Sequence, residues 1–172
     1  LQYVDDDLRI SSAEADIMYA GIVVDTNNFV NKTGVRTFEA AAFLRRSGAD
    51  VVRVRKLLRD NMDDYKAKAM AVSTAELFGG SFAIAVCPSE GLVSPTVVGA
   101  QAANELLNIV GVKASFVLTQ YNGVIYISAR SIDEINVQVI MEKFGGGGHM
   151  TIAGAQLKDC SVEDAKELVK AT

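Results

Sequence analysis

The sequence predicts an α/β fold in which a helical first part leads into a small domain built on a mixed sheet. Three observations predict it. Helix-capping signals follow one another from Ser11 to Asp63. After Gly80, short apolar runs suited to buried strands alternate with helical segments. Asn122-Gly123, between two such runs, is a strong hairpin signal because both residues tolerate positive φ.

Ser11-Ser12-Ala13-Glu14 reads as a capping box opening a helix that runs through Ile17, Met18 and Ala20 toward Val24. Asp5-Asp6-Asp7 before it reads as a solvated acidic loop, since three adjacent carboxylates in an extended loop cannot all face one ion. Thr37 is expected to cap a helix over 38–47, with Gly48 as its stop, and Asp50 to cap one over 51–60. Residues 63–78 place Tyr65, Ala69, Val72 and Glu76 on turns of a helix that ends at Gly79-Gly80. The boundary is therefore expected near Asn61, giving residues 1–61 and residues 62–172 as two parts.

In the second part, residues 82–86 read as a buried strand, and Ser94-Pro95 opens a helix over 95–110 with Leu106 and Leu107 inward. Residues 115–120 and 124–129 are strands of one hairpin. A helix over 135–144 precedes four glycines, a strand is expected over 151–157, and Ser161 caps a last helix.

Composition narrows the function classes. The chain has 172 residues, 49% hydrophobic and 22% charged, which suits a packed core and excludes a disordered or low-complexity chain. No run approaches the roughly 18 apolar residues of a membrane span, so this chain is expected to make no membrane contact. The net charge of -4 argues against a basic surface for duplex DNA, but leaves room for a small phosphorylated ligand held by a local donor pocket. Two cysteines, Cys87 and Cys160, form neither a zinc framework nor a disulfide scaffold and suit a reducing compartment, with a bridge between them left open. The chain starts at Leu1 without a Met, in the apparent tail of a helix, and reads as a cut from a longer protein.

Three segments could carry chemistry. Gly145, Gly146, Gly147 and Gly148 run together and end at His149, the chain's single histidine. Backbone without Cβ atoms can turn its N–H groups toward one point and let a phosphate approach, with His149 donating beside it. The alternative is a plain helix-to-strand turn. Asp25, after Ile22-Val23-Val24, is either a turn former at a helix end or a carboxylate ligand for a hard cation such as Mn²⁺ or Mg²⁺. Arg130 ends a hairpin strand just before the helix that leads to the glycines. It is either a solvated edge charge or a guanidinium fork for the same anion.

These segments resemble a known family. Asp25-Thr26-Asn27-Asn28-Phe29, Arg36-Thr37-Phe38-Glu39-Ala40-Ala41 and Gly48-Ala49-Asp50 resemble the end of a DHH phosphoesterase domain. Ser128-Ala129-Arg130-Ser131, Asn136-Val137, and the glycine-His run followed by Ala153-Gly154 resemble the DHH-associated substrate-binding domain. The Asn-Asn-Phe and Arg-Thr-Phe-Glu-Ala-Ala wording is most similar to membrane-anchored cyclic di-AMP phosphodiesterases of the GdpP type.

The resemblance implies that residues 1–61 are a helical remnant of the DHH domain and residues 62–172 the DHH-associated domain. It implies a bacterial parent enzyme anchored in the cell membrane, with this part cytoplasmic, that converts cyclic di-AMP to linear pApA through two bound Mn²⁺ ions. Asp25 matches a metal-binding aspartate. Ser128, Arg130, Gly145, Gly146, Gly147, Gly148 and His149 match the nucleotide-binding elements. The Asp-His-His triplet of the family is absent from this sequence and is expected upstream of Leu1, so no catalytic residue is expected here and the chain alone is expected to be inactive. A phosphoesterase of short oligoribonucleotides or 3′-phosphoadenosine phosphate is the second reading. The third is a non-catalytic nucleotide- or RNA-binding module, as in the C-terminal domain of alanyl-tRNA synthetases. Apolar faces left open in the first part, at Ile22, Val23 and Val24, would favour self-association, so a homodimer is an expected partner.

Overall fold

The computed structural model describes residues 9–30, 33–132 and 134–172. They fall into two compact units that divide between Asp60 and Asn61. The expected acidic loop at Asp5-Asp6-Asp7 lies outside the described residues.

The first unit is helical: α1 (Ser12–Asp25), α2 (Val35–Arg46) and α3 (Val51–Leu57). The capping box of α1 is formed: Ser11 Oγ accepts from Glu14 N–H at 3.3 Å, and the Glu14 carboxylate accepts from Ser11 N–H at 2.8 Å. Gly34, not Thr37, is the N-cap of α2, and Thr37 Oγ1 instead reaches back to accept from Gly34 N–H at 3.4 Å. Thr37 thus takes the N3 role of a capping box, and the helix begins three residues earlier than expected. Asp50 caps α3 through Val52 N–H at 2.7 Å, but the helix stops at Leu57 rather than 60. Ala15, Leu44 and Ala49 form a small core with Ile10, Tyr19, Ile22 and Phe43 against it. Asp16 locks α1 to the start of α3. Its carboxylate accepts from Asp50 N–H at 2.6 Å and from Arg53 Nε at 2.6 Å, and this pairing holds its pKa below the usual carboxylate range.

The second unit opens with α4 (Met62–Ser73), capped by Asn61 Oδ1 on Asp64 N–H at 2.8 Å. The helix expected to reach Phe78 ends five residues early. Thr74 Oγ1 donates to Met70 O, and Glu76, Leu77 and Phe78 become strand β1 (Glu76–Phe78), which pairs antiparallel with β2 (Phe82–Cys87) across Gly79-Gly80. Those glycines, at φ +56° and +79°, turn a hairpin rather than merely stop a helix. Glu76 then binds Lys166 and Lys170 of the last helix.

Next come α5 (Pro95–Leu106), β3 (Ala114–Tyr121), β4 (Val124–Ser131), α6 (Val137–Glu142), β5 (Gly147–His149), β6 (Ile152–Lys158) and α7 (Val162–Lys170). Pro95 stands at the first turn of α5 as expected, but Ser94 makes no side-chain cap and the helix ends at Leu106, short of 110. The sheet has six strands in the order β1-β2-β3-β4-β6-β5, with β2 and β3 parallel through the α5 crossover and every other pair antiparallel. The β3–β4 hairpin turns at Asn122 (φ +50°) and Gly123 (φ +75°). On one face α4 and α5 bury Ala83, Ala85, Cys87 and Val117. On the other, α6 and α7 bury Ile84, Phe116, Leu118, Ile125 and Ile127. Cys87 and Cys160 are both free thiols, and burial pushes the Cys87 thiol up to about 11. Among the described residues no helix is long and apolar enough to cross a membrane.

Candidate functional site

Strand alternation sorts β4 cleanly. Ile125, Ile127 and Ala129 point into the core beneath α6 and α7, so Tyr126, Ser128 and Arg130 point to the opposite face. On that face α4 packs on β2 and α5 lies across β2, β3 and β4, so that β6, β5 and the side of β4 facing them are left partly open. The rows of this open part follow from the register. Ser128 pairs with Gly154, which pairs with Gly147; Arg130 pairs with Ile152, which pairs with His149; Tyr126 pairs with Gln156. A floor of Ser128, Gly154 and Gly147, nearly without side chains, therefore lies between Tyr126 and Gln156 on one side and the Arg130–Ile152–His149 row on the other. This brings Ser128, Arg130, Gly147 and His149 onto one surface, with Gly145, Gly146 and Gly148 in the adjoining chain.

The four glycines do not form the single loop that the sequence suggested. Gly145 (φ +71°) closes α6: its N–H donates to Glu142 O at 3.0 Å and the next N–H, of Gly146, to Met141 O at 2.9 Å, the paired bonds of a Schellman stop. Gly146 and Gly148 are glycine because β6 runs too close for anything else. A Cβ on Gly146 would lie 2.1 Å from Gly154 O, and one on Gly148 would lie 2.4 Å from Ile152 O. Gly147 alone has no such reason. A Cβ there would meet nothing within 4 Å and its φ is not left-handed, so neither packing nor backbone conformation requires glycine at this position. The segment from Gly147 to His149 is an edge strand, paired on one side with β6.

Arg130 is not the solvated edge charge that its position suggested. It is partly buried, its Nε donates to Asn104 Oδ1 on α5 at 3.1 Å, and its Nη1 donates to Ala129 O at 2.9 Å. Both partners are neutral, and no carboxylate among the described residues pairs with it; burial lowers its pKa. A guanidinium held this way keeps its charge uncompensated and is suited to an anion. His149 is exposed on the same row. The turn that follows it is held by Val137 N–H on Met150 O at 2.9 Å and Ser131 N–H on Thr151 O at 3.0 Å. Sequence reasoning missed Asn104, Tyr126, Gly154 and Gln156 as parts of this surface. The period-2 pattern of 124–131 carried the signal for Tyr126, whereas Asn104 shows only once α5 lies on the sheet.

Asp25 ends α1 and is exposed. Thr26 behind it is buried, donating to Ile22 O at 2.7 Å and accepting from Phe29 N–H at 2.9 Å. Asn27, Asn28 and Phe29 follow at φ +48°, +56° and +65°, a left-handed turn that costs roughly 1–2 kcal/mol per non-glycine residue. Stacking of Phe29 on Phe38, centroids 5.6 Å apart, holds it in place. Among the described residues no three His, Cys, Asp or Glu side chains gather into a group that could hold a metal ion. The described donors therefore do not by themselves fit a pair of Mn²⁺ ions, and Asp25 stands as a single ligand candidate.

Comparison with known proteins agrees with this architecture. Residues 79–172 match the DHHA1 domain. Over 171 residues the chain is 45% identical to the cyclic-di-AMP phosphodiesterase GdpP of Geobacillus thermodenitrificans, covering 99% of this chain and 26% of that protein. It is 44% identical to the cyclic-di-AMP phosphodiesterase PdeA of Listeria monocytogenes, with the same coverage. The chain thus spans about a quarter of the length of these relatives. In fold it is similar to an exopolyphosphatase-related protein from Bacteroides fragilis, with TM-score 0.80 at 20% identity, covering 94% of this chain and 51% of that one. The chain belongs to the DHHA1 domain family.

Proposed function

We propose that the open half of the sheet face binds the phosphate and nucleoside of an adenine dinucleotide, and that in the whole protein this chain grips cyclic di-AMP for hydrolysis to linear pApA. The observation that carries the reading is Arg130, a partly buried guanidinium held only by neutral oxygens, in one row with His149 and beside a floor that Gly147 and Gly154 leave bare. The relatives named as cyclic-di-AMP phosphodiesterases support the choice of nucleotide.

The chemistry available here is binding. Arg130 offers charge-assisted donors to a phosphate oxygen, His149 adds a donor from the adjacent edge strand, and Gly147 lets the ligand approach the backbone. With phosphate at the Arg130 row, the nucleoside lies over Ser128 and Gly154 toward Tyr126. Four residues of strand separate Tyr126 from Arg130, about 13 Å, a distance that a nucleotide with its base can bridge. The two Mn²⁺ ions expected of the whole enzyme would need ligands beyond the described residues, with Asp25 contributing at most one. In the longer protein this chain would be a cytoplasmic part of a membrane-anchored hydrolase, with a cyclic dinucleotide and not duplex DNA as its partner.

The test is a titration of the chain with cyclic di-AMP, pApA and inorganic phosphate, followed by backbone NMR. Shifts should centre on residues 126–130, 147–149 and 152–156. Shifts confined to α4 or α7, or absent at millimolar nucleotide, would sink the reading.

A further inference from the structure

We propose that Asn104 is a positioning residue for nucleotide recognition, aiming Arg130 at the ligand phosphate while leaving its charge available; this rests on the reading of the open sheet face as the nucleotide site. Asn104 stands near the end of α5, a helix fixed against the sheet. Ser115 Oγ donates to Ala103 O at 2.6 Å, and Gly99 comes so close to β3 that a Cβ there would lie 2.2 Å from Thr119 Oγ1. Ser115 is also the cross-strand neighbour of Arg130. The contact that pins α5 is therefore one residue away from the contact that Asn104 makes to Arg130.

Asn104 Oδ1 takes the Nε proton and Ala129 O takes one Nη1 proton. A guanidinium has five N–H donors, so three remain. With two donors fixed to groups that cannot move away, the plane of the fork is set before any ligand arrives. The neutrality of the amide is the telling feature. An aspartate at 104 has the same shape and would hold Nε more strongly, but it would cancel the charge that draws a phosphate. A carboxylate would neutralise the guanidinium that the amide leaves charged, so the amide favours an anion arriving from solution.

The experiment compares the 172-residue chain with Asn104→Asp, Asn104→Ala and Arg130→Ala, using cyclic di-AMP and inorganic phosphate as probes. Asn104→Asp should still unfold cooperatively, yet weaken cyclic di-AMP binding by about tenfold or more and flatten its salt dependence, since an uncompensated charge has been lost. Asn104→Ala should weaken binding by roughly threefold to tenfold and move the Arg130 Nε–H resonance, which a merely structural role would leave unlinked to affinity. If Arg130→Ala abolishes binding while Asn104→Asp binds as the parent does, the role of Asn104 is overturned and the nucleotide site stands. If Arg130→Ala also binds as the parent does, both fall.

Discussion

Arg130 of β4 and His149 of β5 flank Ile152 of β6 in a single cross-sheet row, two strand spacings or about 10 Å apart. Both side chains can lean over Ile152 toward one phosphate. Arg130→Ala should cost more than His149→Ala, because Arg130 is partly buried and oriented while His149 is exposed. Loss of a charged donor typically costs about 1.5–3 kcal/mol, roughly a tenfold to hundredfold drop in nucleotide affinity. Calorimetric titration of both variants measures it, and equal small effects would place the phosphate elsewhere.

The glycine run separates fold from function. Gly146→Ala puts a methyl group against backbone that cannot yield, and should destabilise the second unit by about 1–3 kcal/mol or more. Gly147→Ala meets open space at an ordinary φ, so it should leave stability unchanged or raise it by up to about 1 kcal/mol while nucleotide affinity falls. A Gly147→Ala variant that binds normally would remove this residue from the site.

Asp16 gives the first unit a defined acid sensitivity. Its carboxylate pKa is depressed, chiefly by the hydrogen bond from Arg53 and then by that from Asp50 N–H. A group with a lowered folded pKa contributes its full stability above the unfolded value, about 3.9, and loses it as pH falls through the folded value. Asp16→Asn should lower the melting temperature of the first unit at pH 7, and the gap from the parent should close in acid below pH 4. A gap that persists unchanged at pH 2 would show that packing, not the ion pair, holds α1 to α3.

Exposed apolar side chains in the first unit predict association. Val35 is 75% exposed, Ile17 68%, Val24 65% and Phe38 55%. Light scattering against concentration should show mass rising above the monomer, and Ile17→Ser with Val35→Ser should reduce it. A monomer at all concentrations would count against a homodimer through these residues.

The elements legible in the sequence were those with local signals. The Ser11–Glu14 box, the Asp50 and Ser161 caps, Pro95 and the Asn122-Gly123 turn each report on a few neighbouring residues, and each formed. Strand β1 did not announce itself, because Glu76-Leu77-Phe78 continues the helical spacing of α4 and becomes a strand only by pairing with Phe82, Ala83 and Ile84. The candidate site was legible in part. Arg130 and the glycine-His run stood out by composition, but the separate tasks of the four glycines depend on how closely β6 runs beside them. The grip of Asn104 on Arg130 spans 26 residues and exists only in the packed sheet.

The last prediction concerns turnover. Two-metal hydrolysis needs several ligands holding two ions about 3.5–4 Å apart, so that both attacking and leaving oxygens are stabilised. The sequence has one histidine, His149, and it stands on the proposed phosphate-binding row; among the described residues Asp25 belongs to no group of three metal-ligating side chains. The chain alone, supplied with Mn²⁺ and cyclic di-AMP, should bind the nucleotide in the high-micromolar to millimolar range, roughly -6 to -4 kcal/mol, and release no pApA. Chromatography of the reaction over hours checks this. Release of pApA that scales with protein concentration and disappears in Asp25→Ala would show instead that these residues assemble a working metal centre by themselves.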